Sequence, residues 1–182
     1  SRTYDSTRTA NGSDLNLANV VTGETLSMTG SGVLGSPAAG TQTIVNTNTL
    51  ALADGSGSAS NYSLVGGTLT MTILPRSTSV TGSRSYDGSV TITPSDLTTF
   101  SNLAGSDSLS FTGSGTVASS GVGSSKTVTL GSLALDNSSG VGSNYTLSSV
   151  TVNITKRILN LDGIRAYDAS TTASSSDITI GN

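Results

Sequence analysis

One feature constrains this chain more than any other. A pattern recurs about every 82 residues, so whatever fold it specifies must form more than once. Arg2-Thr3-Tyr4-Asp5 returns as Arg84-Ser85-Tyr86-Asp87 and again as Arg165-Ala166-Tyr167-Asp168. Ten residues after each of these tyrosines stands an acid, Asp14, Asp96 or Asp177, preceded by Ser and followed by Leu or Ile. Glu24-Thr25-Leu26-Ser27-Met28-Thr29-Gly30 matches Asp107-Ser108-Leu109-Ser110-Phe111-Thr112-Gly113, and Asn61-Tyr62-Ser63-Leu64 matches Asn144-Tyr145-Thr146-Leu147. The repeat takes in all five tyrosines and every acid except Asp162.

Within a repeat the apolar residues alternate. Thr68-Leu69-Thr70-Met71-Thr72-Ile73 puts Leu, Met and Ile on one face and Thr on the other; Val150-Thr151-Val152-Asn153-Ile154-Thr155 and Lys126-Thr127-Val128-Thr129-Leu130 do the same. Period-two alternation marks strands with one buried face, and clusters such as Gly55-Ser56-Gly57 and Gly140-Val141-Gly142 mark turns. About six strands per repeat are expected and no amphipathic helix, apart from a short helical turn at Pro94-Ser95-Asp96-Leu97 capped by Ser95. The expected fold is all-β, with antiparallel units, sandwich-like or grasp-like, stacked end to end into an elongated rod. A β-solenoid would show a period of roughly 20–30 residues, and none is visible.

Three segments follow: 1–75 is a first repeat lacking its opening strand, 76–156 a complete second, and 157–182 the start of a third. So short a third segment cannot bury a core alone. It must pair with the preceding unit, with another chain or with its own continuation, and the chain reads as a piece of something longer. In a rod of this kind, 76–84 and 157–165 are expected at the junctions.

Composition narrows the chemistry. The chain has no Cys and no His, a net charge of −3 and only 10% charged residues. Disulfides, thiolate sites and the commonest general base are therefore absent. Basic residues are too sparse to track phosphates, which argues against nucleic acid, and no apolar run is long enough to span a bilayer. Lys126 and Lys156 have no lysine counterpart in the first repeat, where Thr43 and Pro75 stand. Neither a lysine-assisted serine nucleophile nor a repeated isopeptide bond fits, and no enzyme is expected.

Arg84-Ser85-Tyr86-Asp87-Gly88-Ser89 resembles the YDG-type repeats of bacterial surface exoproteins, which occur in tandem in large filamentous-haemagglutinin-like adhesins, many of them exported by the two-partner route. Ser6 and Ala169 replace the glycine in the other two copies, which weakens any requirement for glycine at that turn. The resemblance implies a secreted or cell-surface stalk with a part in cell adhesion or biofilm, whose partners are neighbouring repeats and, further out, polysaccharide or a host or bacterial surface.

Arg2, Tyr4 and Asp5, with Arg84, Tyr86, Asp87, Arg165, Tyr167 and Asp168, are the candidate contact residues, joined by Tyr62 and Tyr145. Ring, guanidinium and carboxylate could stack on and hydrogen-bond a sugar. Alternatively Tyr packs between units, Arg covers it and Asp caps the next turn. Presence in every repeat favours the packing role. Asp14, Glu24 and Asp54, with Asp96, Asp107 and Asp136, are the residues that would hold calcium if they converged, loop capping being the preferred reading. Three functions stay open: a stalk, a polysaccharide-binding module, and a self-associating filament subunit in which 157–182 complements the first repeat of another copy.

Overall fold

Alternation turns into burial where a strand has partners on both sides. In Thr70-Met71-Thr72-Ile73-Leu74 only Met71 and Ile73 are buried, and in Arg76–Ser85 only Thr78, Val80 and Gly82 are. The structure, a computed structural model, describes residues 1–180. It is all-β, with short 3-10 turns and no α-helix among the described residues. No helix among them is long and apolar enough to cross a membrane.

The first repeat contributes β1 (Arg2–Thr3), β2 (Thr9–Asn11), β3 (Leu26–Thr29), β4 (Ser31–Leu34), β5 (Gly40–Asn46), β6 (Ala51–Asp54) and β7 (Thr70–Leu74). The second contributes β8 (Arg76–Ser85), β9 (Thr91–Ile92), β10 (Leu97–Phe100), β11 (Leu109–Thr112), β12 (Gly115–Val117), β13 (Gly123–Thr129), β14 (Ala134–Asn137) and β15 (Tyr145–Thr155). Two more, β16 (Leu161–Gly163) and β17 (Ile178–Ile180), pair with each other. The main sheets run β1-β7-β5-β4-β2 and β10-β8-β15-β13-β12-β9, and each repeat adds a ribbon, β3-β6 or β11-β14.

Most ladders are antiparallel. The exception joins the first strand of a repeat to its last: β8 pairs in parallel with β15 from Tyr145↔Arg76 to Thr155↔Ser85, and β1 pairs in parallel with β7 at Arg2↔Ile73 and Thr3↔Leu74. The register is the same in both, since Arg84 lies opposite Ile154. Residues 76–84 thus form a central strand of the second repeat, flanked by β10 and β15, and Arg76 at its start donates to the Tyr4 carbonyl of the first repeat. Eight strands rather than six lie between 76 and 155, because the ribbon strands and the two-residue β9 are too short to show as alternation.

Two local details also differ from expectation. The turn Pro94–Asp96 is capped by Thr93, whose N–H and hydroxyl both donate to the Asp96 carboxylate, rather than by Ser95. A bulge in β13, with Ser125 at φ 50°, shifts the later register by one residue. Lys126 therefore lies opposite Val152 as Gln42 lies opposite Met71, so its structural counterpart is Gln42 and not Thr43.

The second repeat has its own core, with Val80, Ile92, Val117, Val152 and Ile154 at its centre. The other cluster crosses between repeats: Tyr4, Leu34, Met71 and Ile73 of the first pack with Ala104, Leu109 and Tyr145 of the second.

Candidate functional site

The Arg-x-Tyr-Asp segment is a loop clamp, built alike three times. Asp5, Asp87 and Asp168 each accept the N–H of the residue two positions on, Thr7, Ser89 and Ser170, at 2.9 Å. These aspartates form Asx turns, which short carboxylates favour. The residue between takes a left-handed conformation every time: Ser6 at φ 65°, Gly88 at 80° and Ala169 at 61°. The turn thus uses positive φ even where glycine is replaced. Each arginine closes the loop from inside. Arg84 donates to the Thr91 carbonyl at 2.7 Å, to the Ser89 carbonyl and to Asp87 at 3.1 Å; Arg165 reaches the Thr172 and Ser170 carbonyls and Asp168 likewise. Arg2 donates to the Thr7 carbonyl and pairs with Asp5. Arginine therefore spans the loop. Burial pushes the Asp5 carboxyl up, but hydrogen bonds from Thr7 and Arg2 outweigh it and hold the group below the usual carboxylate range.

The clamp aims its tyrosine outward from the repeat, toward the next one. Tyr4 is only 4% exposed and meets Tyr145 edge to face, centroids 5.4 Å apart at 77°, a favoured geometry for aromatic pairs. Both hydroxyls donate to Oδ2 of Asp107, from Tyr4 at 2.9 Å and Tyr145 at 2.7 Å, and the Tyr145 oxygen accepts the Ala104 N–H at 3.0 Å. The buried Asn144 accepts the Ala39 N–H through Oδ1 at 2.8 Å, and Arg76 donates to the Tyr4 carbonyl at 3.2 Å while holding Asn102. Burial, with the Asp107 carboxylate adding to it, raises both phenols, and Tyr145 is pushed up to about 12. A half-buried carboxylate bonded by two hydroxyls is satisfied, so the junction is polar without a desolvation penalty left open.

The same parts recur at the outer faces. Tyr62 donates to Glu24 at 2.5 Å and accepts the Val21 N–H at 3.1 Å, as Tyr145 does with Asp107 and Ala104. The Glu24 bond raises the Tyr62 phenol. Tyr86 is 40% exposed and lines an open pocket with Asp87, Gly88 and Arg157, while Tyr167 is 95% exposed. Among the described residues, the candidates Tyr4 and Tyr145 are brought together across the chain, on the carboxylate of Asp107. Asn144 and Arg76 were not among the candidates; their signal was recurrence, as Asn61 and Arg157.

A family model for the YDG domain matches twice, over residues 1–72 and 67–152. The chain belongs to the YDG domain family. No curated protein and no solved structure matches it. The Tyr-Asp-Gly triplet stands complete at Tyr86-Asp87-Gly88. In both YDG domains the acids are spent on local order. Asp14 and Asp96 sit in 3-10 turns, Glu24 and Asp107 hold tyrosines, and Asp54 and Asp136 accept the N–H groups of Ala59 and Asn137. Among the described residues no three acids gather where they could hold a metal ion.

Proposed function

We propose that this pair of YDG domains is a stalk segment of a secreted or cell-surface bacterial adhesin, acting in cell adhesion or biofilm by length rather than by catalysis, with units at 1–75, 76–156 and 157–182. The junction of Tyr4 with Asp107 and Tyr145 carries this reading. One repeat inserts its tyrosine into the next, and the same donor and acceptor groups, Tyr86 at one end and Tyr62 with Glu24 at the other, are present for further units. A repeated, internally satisfied contact is how a tandem array gains its stability from nearest neighbours.

Small-angle scattering tests it. The intact chain is expected to fit one extended particle with a fixed angle between repeats, and Asp107→Ala to loosen that angle by leaving two buried hydroxyls unpaired. Equal flexibility in both would count against it. The shallow polar pocket at Tyr86 and Arg157 supports a second reading, extracellular polysaccharide binding. Specific binding on a glycan array, lost in a folded Tyr86→Ala variant, would replace the stalk with that module.

A further inference from the structure

The first and last strands of the second repeat lie side by side. β8 opens the repeat, β15 closes it, and the two run parallel, matched from Tyr145↔Arg76 to Thr155↔Ser85. The chain therefore enters the repeat at one end of this ladder and leaves it at the other. Tension along the chain pulls Arg76 and Thr155 apart along the strand axis, so the ladder is loaded in shear. It joins ten residue pairs, with one irregularity between Leu147 and Ser149. In shear the bonds of a ladder carry the load together, and none opens ahead of the rest. Peeled from one end, the same bonds would open one after another.

The surrounding sheet protects this ladder. Both strands are interior, β8 covered by β10 and β15 by β13, so neither has a free edge from which to fray. Across the ladder Ser148 donates its hydroxyl to the Thr78 carbonyl at 3.0 Å and Thr155 to the Arg84 carbonyl at 3.2 Å. The Tyr86 N–H closes the far end on the Thr155 carbonyl at 2.9 Å. The inward side chains Val80, Val150, Val152 and Ile154 are all buried, and Thr78 donates to the Ser101 carbonyl at 2.6 Å. A slip of one residue would turn this buried set toward solvent. The ladder thus resists sliding as well as the rupture of its bonds.

Load reaches the ladder directly. β7 closes the first repeat at Leu74 and β8 begins at Arg76, leaving Pro75 alone between them. β7 is itself paired in parallel with β1, Arg2 lying opposite Ile73 as Arg84 lies opposite Ile154. Parallel terminal ladders therefore stand in series along the chain, with no slack loop between them to absorb extension. The ribbon β11-β14 and the short strand β9 come from the interior of the repeat's sequence and lie off this path.

We propose that the β8-β15 ladder is a shear clamp, and that bearing tension is a function of the repeat beyond that of a spacer. This deepens the stalk reading and rests on it for the source of the load, since a stalk must hold while what it joins is pulled apart. Resistance to force is governed by the unfolding barrier rather than by equilibrium stability. The clamp raises that barrier for force along the strands and not for force across them.

Single-molecule pulling on the intact chain tests the clamp, and a chain without cysteine lets two handles be placed at chosen sites. Ser77→Cys with Lys156→Cys puts the handles at opposite ends of the ladder and loads it in shear. Ser85→Cys with Lys156→Cys puts them at the same end and peels it. All three side chains are exposed, so both variants should melt as the parent does. Shear loading is expected to need several times the rupture force of peeling, and to release about 250 Å of chain in one step. Equal rupture forces in the two directions would overturn the clamp. So would a shear trace in which much of that length comes free before the main force peak. Scattering tests the stalk separately: a rigid rod with the same strength in both directions loses the clamp alone, and a direction-dependent clamp on a flexible chain loses the stalk alone.

Discussion

The two repeats share a pattern but not an extent of strand. β15 runs for 11 residues, whereas its counterpart β7 runs for five. Leu97–Phe100 is a strand, yet Leu15-Asn16-Leu17-Ala18 makes no ladder. Both shortfalls face the same place, the position that β8 occupies in the second repeat. Local sequence does not explain them, because Leu64, Leu69 and Leu15 are as apolar as Leu147, Val150 and Leu97. The difference teaches that strand state here belongs to the pair: a segment with a suitable face stays irregular until a neighbour takes up its N–H and C=O groups.

Core truncation probes this comparison most strongly. Ile73 and Ile154 occupy the register that both repeats complete, and both are almost fully buried. Ile73→Ala and Ile154→Ala are each expected to cost about 3 kcal/mol in urea unfolding. Further up the strands the repeats should part. Val150→Ala should cost about 2 kcal/mol, and Leu69→Ala about 1 kcal/mol or less although it removes more atoms, because Leu69 borders an open pocket. Equal costs at 69 and 150 would break the comparison.

Alkaline pH distinguishes the shared junction from the outer face. The folded Tyr145 phenol is raised to about 12, so the native state keeps a proton that the unfolded chain loses near pH 10. Its contribution is complete below about pH 10 and is lost as pH rises toward 12, at up to about 1.4 kcal/mol per pH unit. Tyr4 shifts in the same direction. Unfolding followed between these pH values should show that slope, and Tyr145→Phe should flatten it. Tyr62→Phe should leave most of it in place, since that phenol lies at the outer face.

The smallest effects belong to the clamp turn. Gly88→Ala is expected to cost about 1 kcal/mol, and Ser6→Gly to gain a similar amount, because both positions are left-handed. Thermal melts of the two variants moving in opposite directions would show that the two clamps share one backbone; no shift in either would show that they do not.

Much of this was legible in the residues. Recurrence picked out the tyrosines, arginines and acids that organise the clamp and junction, and alternation located β7, β13 and β15. Positive φ at Ser6 and Ala169 was hidden, since serine and alanine do not announce that conformation. The ribbon strands were hidden too, being four residues long and rich in Ser and Ala.

By itself, then, the sequence determined that the chain is an all-β repeat protein, since spacing and period-two alternation are written along the chain. It also marked Arg157–Gly163 as an opening strand. Only the tertiary structure decided which neighbours those strands have. Tyr4 meets Asp107 across 103 residues of chain, and β8 meets β15 across some seventy. Such contacts depend on which surfaces are left to bury after the local elements form, which no short stretch of sequence records.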